Sequence, residues 1–284
     1  MSVRRPYASG SFYPRDPQRL RSEIESCFKH ALGPGKLPAI GENPRTITAL
    51  VCPHAGYMYS GPVAAHSYFA LSEEKQPDTV IILCPNHTGL GSAISLMNEG
   101  CWETPLGRVI IDEELSNLIF KTSGMIDLDE TAHQYEHSIE VQIPFLQYLY
   151  GSKIRIVPIC MGLQDLETSR NLGEAIAQSM RTVNAVVIAS TDMTHQEPQQ
   201  SAARKDRLVL DAIEAMDEES VQRTVQTNRI TMCGYGPVST ALVASKRLGA
   251  NKAEILSYHT SGDITGDRGA VVGYASVKIT RSVQ

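Results

Sequence analysis

Residues 79–89, TVIILCPNHTG, begin with a continuous apolar run and end in a proline, an asparagine and a histidine. Similar runs, rich in valine and isoleucine, recur along the chain at 46–52, 153–160, 185–190, 253–258 and 270–277. Consecutive apolar residues, without alternation, are typical of strands that are covered on both faces. The pattern therefore predicts a sheet whose strands are buried between two layers.

Segments of helical length separate most of these runs. They cover 18–32, 62–71, 112–122, 138–150, 165–180, 202–216, 218–227 and 237–248. Alternation of strands and helices predicts an α/β fold with a central mixed, largely parallel sheet flanked by helices. The exception is 101–112, CWETPLGRVIID, where Pro-Leu-Gly predicts a hairpin. Since no repeat or linker is evident, we predict a single domain over residues 1–284.

Composition limits the classes of partner. The chain has 284 residues, is 42% hydrophobic and 20% charged, and carries a formal net charge of -5. Such a balance is typical of a soluble protein and gives no field that attracts nucleic acid or an anionic membrane. No apolar run approaches the roughly 20 residues of a membrane span, and the first residues lack the apolar stretch of a secretory signal. We expect a cytoplasmic protein whose six scattered cysteines are mostly reduced.

Three of the predicted strands end in side chains that can bind metals. His54 follows the first, His87 the second, and Asp192 and His195 the one at 185–190. Ligands of open α/β sheets bind beyond the carboxyl ends of the strands, so these residues could converge on an iron, copper or zinc site. The alternative is local: each histidine bonds within its own turn, and Asp192 caps the segment that follows.

Cys233 lies in TMCGYGP, directly before the predicted helix 237–248. A helix N-terminus favours a thiolate, which could complete a metal site or act as a nucleophile paired with a histidine. The third interpretation is a cysteine packed beneath a glycine-rich turn. No oxyanion-stabilising device is identifiable in the sequence, which disfavours hydrolysis by a Cys–His pair.

Five further residues are candidates for the same pocket. His137 and Glu140 stand at i and i+3 at the start of a predicted helix, where they could bind a ligand or orient a metal-bound histidine. Equally, Ser138 could cap that helix and Glu140 could simply occupy its first turn. Tyr57 would line a crevice suited to a phosphate or carboxylate group. Ser261 and Asp263 lie in the segment 258–277, whose composition predicts a long loop before the last strand, and this loop could contact a ligand.

Seven motifs in a fixed order resemble the Memo family, in its prokaryotic form. They are ASGSFYP (8–14), CPHAGYMYSGPVAAHSY (52–68), PNHTG (85–89), EHSIEVQIPFL (136–146), STDMTH (190–195), CGYGP (233–237) and TSGDITGDRGAVVGYA (260–275). The resemblance implies the fold of the class III extradiol ring-cleaving dioxygenases, which are non-haem iron enzymes. It also implies a pocket in which His54, His87 and Cys233 hold iron or copper, with Asp192 and His195 beside them and His195 as acid/base.

The resemblance leaves two functions open. One is a metal-binding redox protein or oxidoreductase, in which ring cleavage is not assumed because Cys233 replaces the dioxygenase carboxylate. The other is a non-catalytic module that binds a peptide or protein in the former enzyme pocket. In prokaryotes the implied partner belongs to a radical-SAM system, and no nucleotide cofactor is indicated.

Overall fold

The computed structural model describes residues 2–282, which form one mixed sheet between two layers of helices. The strands are β1 (Val3–Arg4), β2 (Ile47–Cys52), β3 (Thr79–Pro85), β4 (Ile94–Leu96), β5 (Cys101–Thr104), β6 (Gly107–Ile111), β7 (Asp127–Leu128), β8 (Arg155–Met161), β9 (Ala185–Ser190), β10 (His195–Glu197), β11 (Ala250–Thr260) and β12 (Val271–Arg281). The α-helices are α1 (Pro17–Lys29), α2 (Tyr57–Ser72), α3 (Glu113–Ser123), α4 (His137–Glu140), α5 (Ile143–Tyr150), α6 (Leu166–Met180), α7 (Gln199–Glu214), α8 (Glu218–Thr227), α9 (Tyr235–Arg247) and α10 (Ser261–Thr265). The predicted α/β class is confirmed.

The centre of the sheet is parallel. Strands β6, β8, β3, β9 and β2 lie side by side in that order, and each pair runs in the same direction. On one side β12 pairs antiparallel with β2, and β11 with β12. On the other side β5 and β6 form the predicted antiparallel hairpin. The sheet is thus mixed and largely parallel, as its apolar runs predicted.

Both faces of the central strands are buried, which explains their continuous apolar sequence. In β3, Ile81 and Leu83 face the layer formed by α3, α6, α7, α8 and α9. Val80 and Ile82 face the opposite layer, formed by α1, α2 and α5. Because successive side chains of a strand point to opposite faces, alternation disappears when both faces are covered.

Two helices differ from prediction at prolines. α2 begins at Tyr57, five residues before Pro62, where the prediction placed its start. The N–H that Pro62 lacks would have bonded the carbonyl of Met58, and the helix accommodates this loss at a residue that is 62% exposed. The predicted helix 138–150 is divided into α4 and α5, because Pro144 cannot donate to the carbonyl of Glu140.

The loop predicted before the last strand, within 258–277, is mostly regular structure. β11 continues to Thr260, α10 follows directly, and β12 begins at Val271. The prediction of a long loop was therefore wrong, because polar residues on the partly exposed β11 and α10 conceal their regularity. Within residues 2–282, no helix combines the length and apolarity that a membrane crossing requires.

Candidate metal centre

The carboxyl ends of three neighbouring parallel strands form the base of the site. β3, β9 and β2 are adjacent in the sheet, and His87, Asp192 and His54 each follow the last residue of one of them by two positions. Parallel strands end at the same edge, so residues far apart in sequence become neighbours. The order of the strands therefore brings these three residues together.

Cys233 reaches the same edge from the loop between α8 and α9. Its N–H donates to the carbonyl of Asp192 at 3.3 Å, and the N–H of Gly234 donates to Thr191 Oγ1 at 2.9 Å. A Cβ at Gly234 would lie 2.5 Å from the carbonyl oxygen of Ser190, so this close approach requires glycine. The loop is thereby fixed against the end of β9.

The side chains of His54, His87 and Cys233 converge. One nitrogen from each ring and the sulfur all lie within 4.8 Å of one another. Cys233 Sγ is 3.2 Å from His54 Nε2, and the centroids of the two rings are 5.2 Å apart. The His87 side chain is 33% exposed, so the group is open on that side. These are the three residues that the family resemblance implied as metal ligands.

Burial controls the charges at the site. It holds the pKa of His54 well below its usual range, and the neighbouring imidazoles add to the effect, so this ring is neutral and able to bind a metal. Burial, followed by the Asp192 carboxylate, raises the pKa of the Cys233 thiol. In the protein alone, burial thus acts against the thiolate that the following helix is expected to favour. A metal on the sulfur would reverse this, since coordinating thiols lose their proton.

Asp192 and His195 lie beside this group. Asp192 Oδ1 accepts the N–H of His54 at 2.8 Å, its Oδ2 is 4.0 Å from His54 Nε2, and burial raises its pKa to about 6. His195 Nδ1 is 2.8 Å from the carbonyl of Thr231, so Nδ1 is the donor and Nε2 stays free.

His137 lies among the same rings, as the sequence suggested. Its centroid is 5.3 Å from that of His54 and 4.7 Å from that of His87, and Phe12 packs on it at 4.4 Å. Burial, with His87 adding to it, lowers the pKa of His137 to about 4. His137 is therefore a neutral aromatic wall of the pocket at physiological pH.

Sequence reasoning missed Glu136. Its carboxylate is fully buried and lies 2.9 Å from His87 Nδ1. Burial acts against ionisation, but hydrogen bonds and charge from His87 prevail and lower the pKa of Glu136 to about 2. A carboxylate directly before a candidate histidine, His137, was the available signal in the sequence, and the i, i+3 pair of His137 and Glu140 drew attention away from it.

Two predicted pocket residues face elsewhere. Tyr57 is 3% exposed, donates its hydroxyl to the carbonyl of Val141 at 2.6 Å and packs on Phe145. Glu140 is fully buried and binds Arg4, Tyr13 and the N–H groups of Tyr7 and Ala8. The structure contradicts the pocket role of Tyr57, and for Glu140 it agrees with the alternative of a place in the first turn of the helix. Tyr57 is a core residue, and Glu140 anchors the N-terminal segment to α4.

Ser261 and Asp263 hold the turn between β11 and β12. Ser261 Oγ accepts the N–H of Val272 at 3.0 Å. Asp263 accepts the N–H of Thr260 at 2.9 Å in a capping box and a hydrogen bond from Gln199. These contacts are explained by local structure, so neither residue is needed to account for the metal centre.

Comparisons with known proteins agree along almost the whole chain. A family model described as Memo-like protein matches residues 4–278. A MEMO1 family protein of Methanopyrus kandleri is 51% identical over 280 residues, covering 98% of this chain and 99% of the relative. One from Methanothermobacter thermautotrophicus is 54% identical over 275 residues, covering 96% of this chain and 99% of the relative.

A similarity to a solved structure concerns the fold alone. The crystal structure of an uncharacterized protein from Escherichia coli K12 superposes with a TM-score of 0.58 and 14% sequence identity. The match covers 82% of this chain and 99% of that chain. It agrees with the α/β sheet described above. The family model and the two relatives together show the family. The chain belongs to the Memo family.

Proposed function

We propose that this protein binds one iron or copper ion through His54, His87 and Cys233 and serves as a metal-dependent redox protein. The observation that carries the proposal is the convergence of two imidazole nitrogens and a thiol sulfur within 4.8 Å at the open edge of the sheet. Zn–N and Zn–S bonds of about 2.0–2.3 Å place tetrahedral ligand atoms roughly 3.3–3.7 Å apart. The 3.2 Å between Cys233 Sγ and His54 Nε2 is close to that spacing.

The donor set and its exposure favour a reactive centre over a structural one. Structural zinc sites usually have four protein ligands, whereas three leave a position for water or substrate. Two imidazoles and a thiolate suit copper and iron, and such an ion would supply electron transfer. The exposed side of His87 is where a small molecule could approach.

Asp192 and His195 would donate and accept protons at the site. Asp192 fixes the backbone of His54 and lies 4.0 Å from its Nε2. With a pKa of about 6, Asp192 can hold or release a proton near neutral pH. His195, held through Nδ1, has Nε2 available to exchange a proton with a bound molecule.

The binding-module alternative loses one of its supports. It relied partly on Tyr57, whose hydroxyl is bound to Val141 in the core and cannot meet a phosphate or carboxylate group.

We also propose that the protein functions in the cytoplasm, where its six cysteines, all free in the structure, would stay reduced.

The test is metal stoichiometry on anaerobically purified protein, measured separately with Fe(II) and copper. We expect about one ion per chain, in keeping with a single three-ligand site. The double variant His54→Ala, Cys233→Ser should abolish binding. Cobalt(II) substitution gives a second readout, because a thiolate–cobalt charge-transfer band should appear and should be absent from Cys233→Ser.

Matched controls lie in the layer of α1 and α2. Cys27 is buried there, with its sulfur 3.8 Å from the carbonyl of Tyr57, and His66 bonds the carbonyl of Leu32. Cys27→Ser and His66→Ala should retain one ion per chain. Unchanged metal affinity in the His54, Cys233 double variant would refute the proposal.

A further inference from the structure

We infer that residues 136–142 fix both candidate histidine ligands as the tautomer that carries its proton on Nδ1, so that each ring presents a bare Nε2 to the metal. Glu136 hydrogen-bonds His87 directly. Ser190, which is itself hydrogen-bonded to Ser138 and Gln142 of this segment, hydrogen-bonds His54. The inference rests on the proposed metal site. It assigns positioning roles to Glu136, Ser190 and Gln142.

Glu136 requires His87 Nδ1 to act as a hydrogen-bond donor. Its Oε1 accepts from Ser138 N at 2.9 Å and Ser138 Oγ at 2.7 Å, and its Oε2 accepts the N–H of His87 at 2.6 Å. These three donors hold the carboxylate in its ionised, acceptor-only form. At 2.9 Å from Oε1, His87 Nδ1 must therefore donate. The backbone and ring of the same histidine are bound by one buried carboxylate.

Ser190 leaves His54 Nδ1 the same role by a different route. The hydroxyl of Ser190 donates to the carbonyl of Ser138 at 2.7 Å, and a carbonyl can only accept. Because the single proton of Ser190 is used there, its oxygen accepts from His54 Nδ1 at 2.9 Å. It also accepts from Gln142 Nε2 at 2.8 Å. His54 Nε2 is then the unprotonated nitrogen, and it is the one 3.2 Å from Cys233 Sγ.

Gln142 is itself oriented, which fixes which end of its amide faces Ser190. Its Oε1 accepts the hydroxyl of Tyr68, and its Nε2 also donates to the carbonyl of Pro53 at 3.1 Å. A flipped amide would turn its oxygen toward that carbonyl, which has no proton to give. The chain of donors thus runs from Tyr68 through Gln142 to Ser190.

A second metal site is the competing interpretation of this segment, since His87, Glu136 and His137 also lie within 4.8 Å of one another. Glu136 Oε1, however, already faces His87 Nδ1 and both donors of Ser138. A cation there would displace those hydrogen bonds or meet their protons. The orienting role keeps these hydrogen bonds of Glu136 as they stand.

The direct test is long-range ¹H–¹⁵N NMR of the histidine rings in metal-free protein. The spectra are recorded at a pH high enough for both rings to be neutral, above the pKa of His87, which burial lowers but Glu136 raises overall. We expect the Nδ1–H tautomer for both His54 and His87. In Ser190→Ala, His54 should lose this preference while His87 keeps it, and Ser190→Thr, which retains the hydroxyl, should restore it.

Metal affinity gives the second readout. Loss of a hydrogen-bond partner of a metal ligand typically costs about 10–100-fold in affinity, so Ser190→Ala and Glu136→Gln should each weaken Co(II) binding by that factor. Glu136→Gln should weaken binding because an amide accepts hydrogen bonds only at its oxygen, whereas the Glu136 carboxylate accepts them at both oxygens. Ser67→Ala is the control, because Ser67 is a buried hydroxyl bound to the carbonyl of Val51 and to Ser276, and it should leave tautomer and affinity unchanged.

The outcomes separate this inference from the proposed function. Nε2–H rings in metal-free wild-type protein would overturn the inference even if one ion binds per chain. Two ions per chain, with Glu136→Gln losing only one, would show that Glu136 is a ligand. The Nδ1–H tautomers in a protein that binds no metal would leave the inference standing and refute the proposed function.

Discussion

Glu140→Ala should destabilise the fold strongly because it leaves a buried positive charge without its partner. The side chains of Arg4 and Glu140 are 3% and 0% exposed. Arg4 would stay in place, since it also donates to the carbonyls of His133 at 3.0 Å and Glu136 at 2.8 Å. Removing one partner of a buried ion pair typically costs about 3–5 kcal/mol. The N–H groups of Tyr7 and Ala8, 2.8 and 2.9 Å from the carboxylate, lose an acceptor as well.

Urea unfolding followed by circular dichroism measures this loss. We expect the midpoint to fall with little change in slope, corresponding to a decrease of about 3–5 kcal/mol in the free energy of unfolding. The double variant Arg4→Met, Glu140→Leu should lose less, because no charge is left buried. A cost below about 1 kcal/mol, the value of an exposed pair, would refute the reasoning.

Three further predictions concern acid stability, packing and proton release. Burial, followed by the charge of Arg4, lowers the pKa of His133 to about 4. Between about pH 6.5 and pH 4, His133 therefore binds a proton in the unfolded chain but not in the folded protein. The free energy of unfolding should therefore fall by about 3 kcal/mol between pH 6.5 and pH 4. Its dependence on pH should be shallower in His133→Asn, and equal slopes in the two proteins would contradict the prediction. Gly273→Ala should cost about 1–3 kcal/mol in urea unfolding, because its Cβ would lie 2.0 Å from Asp206 Oδ2, whereas Gly56→Ala meets nothing nearer than 3.6 Å. Calorimetry in buffers of different ionisation enthalpy should show that the wild-type protein releases about one proton more per metal ion than Cys233→Ser near pH 8, because the raised pKa keeps the Cys233 thiol protonated beforehand.

The sheet and the three candidate metal ligands could be predicted because each leaves a local mark. A strand buried on both faces has a continuous apolar sequence, as β3 and β9 do. A polar residue directly after such a strand lies at the sheet edge where ligands bind, which applies to His54 and His87. Cys233 follows no strand, and it was marked by its glycine-rich surroundings and its position before a predicted helix.

The errors concern side-chain direction, which one sequence does not determine. Tyr57 lies three residues after His54, but α2 begins at Tyr57 and turns its ring into the core. Glu136 and Glu140 are both fully buried carboxylates in one short segment. Which one serves the histidines depends on where Arg4 and Tyr13 dock, and these residues are more than 120 positions away. That long-range packing leaves no periodicity in the segment.

The same burial that suppresses the Cys233 thiolate makes the pocket suited to a divalent ion. The pKa of the thiol is raised by burial and Asp192, while burial acts against protonation of His87 but is outweighed by Glu136, which raises its pKa. Below that raised pKa, His87 and Cys233 each carry a proton that they must give up on binding a metal. Two protons leave as two positive charges enter, so the net charge of the pocket is unchanged. Because uncompensated charge is costly in a buried site, this exchange favours a divalent ion over a monovalent one, which would leave the pocket one charge more negative.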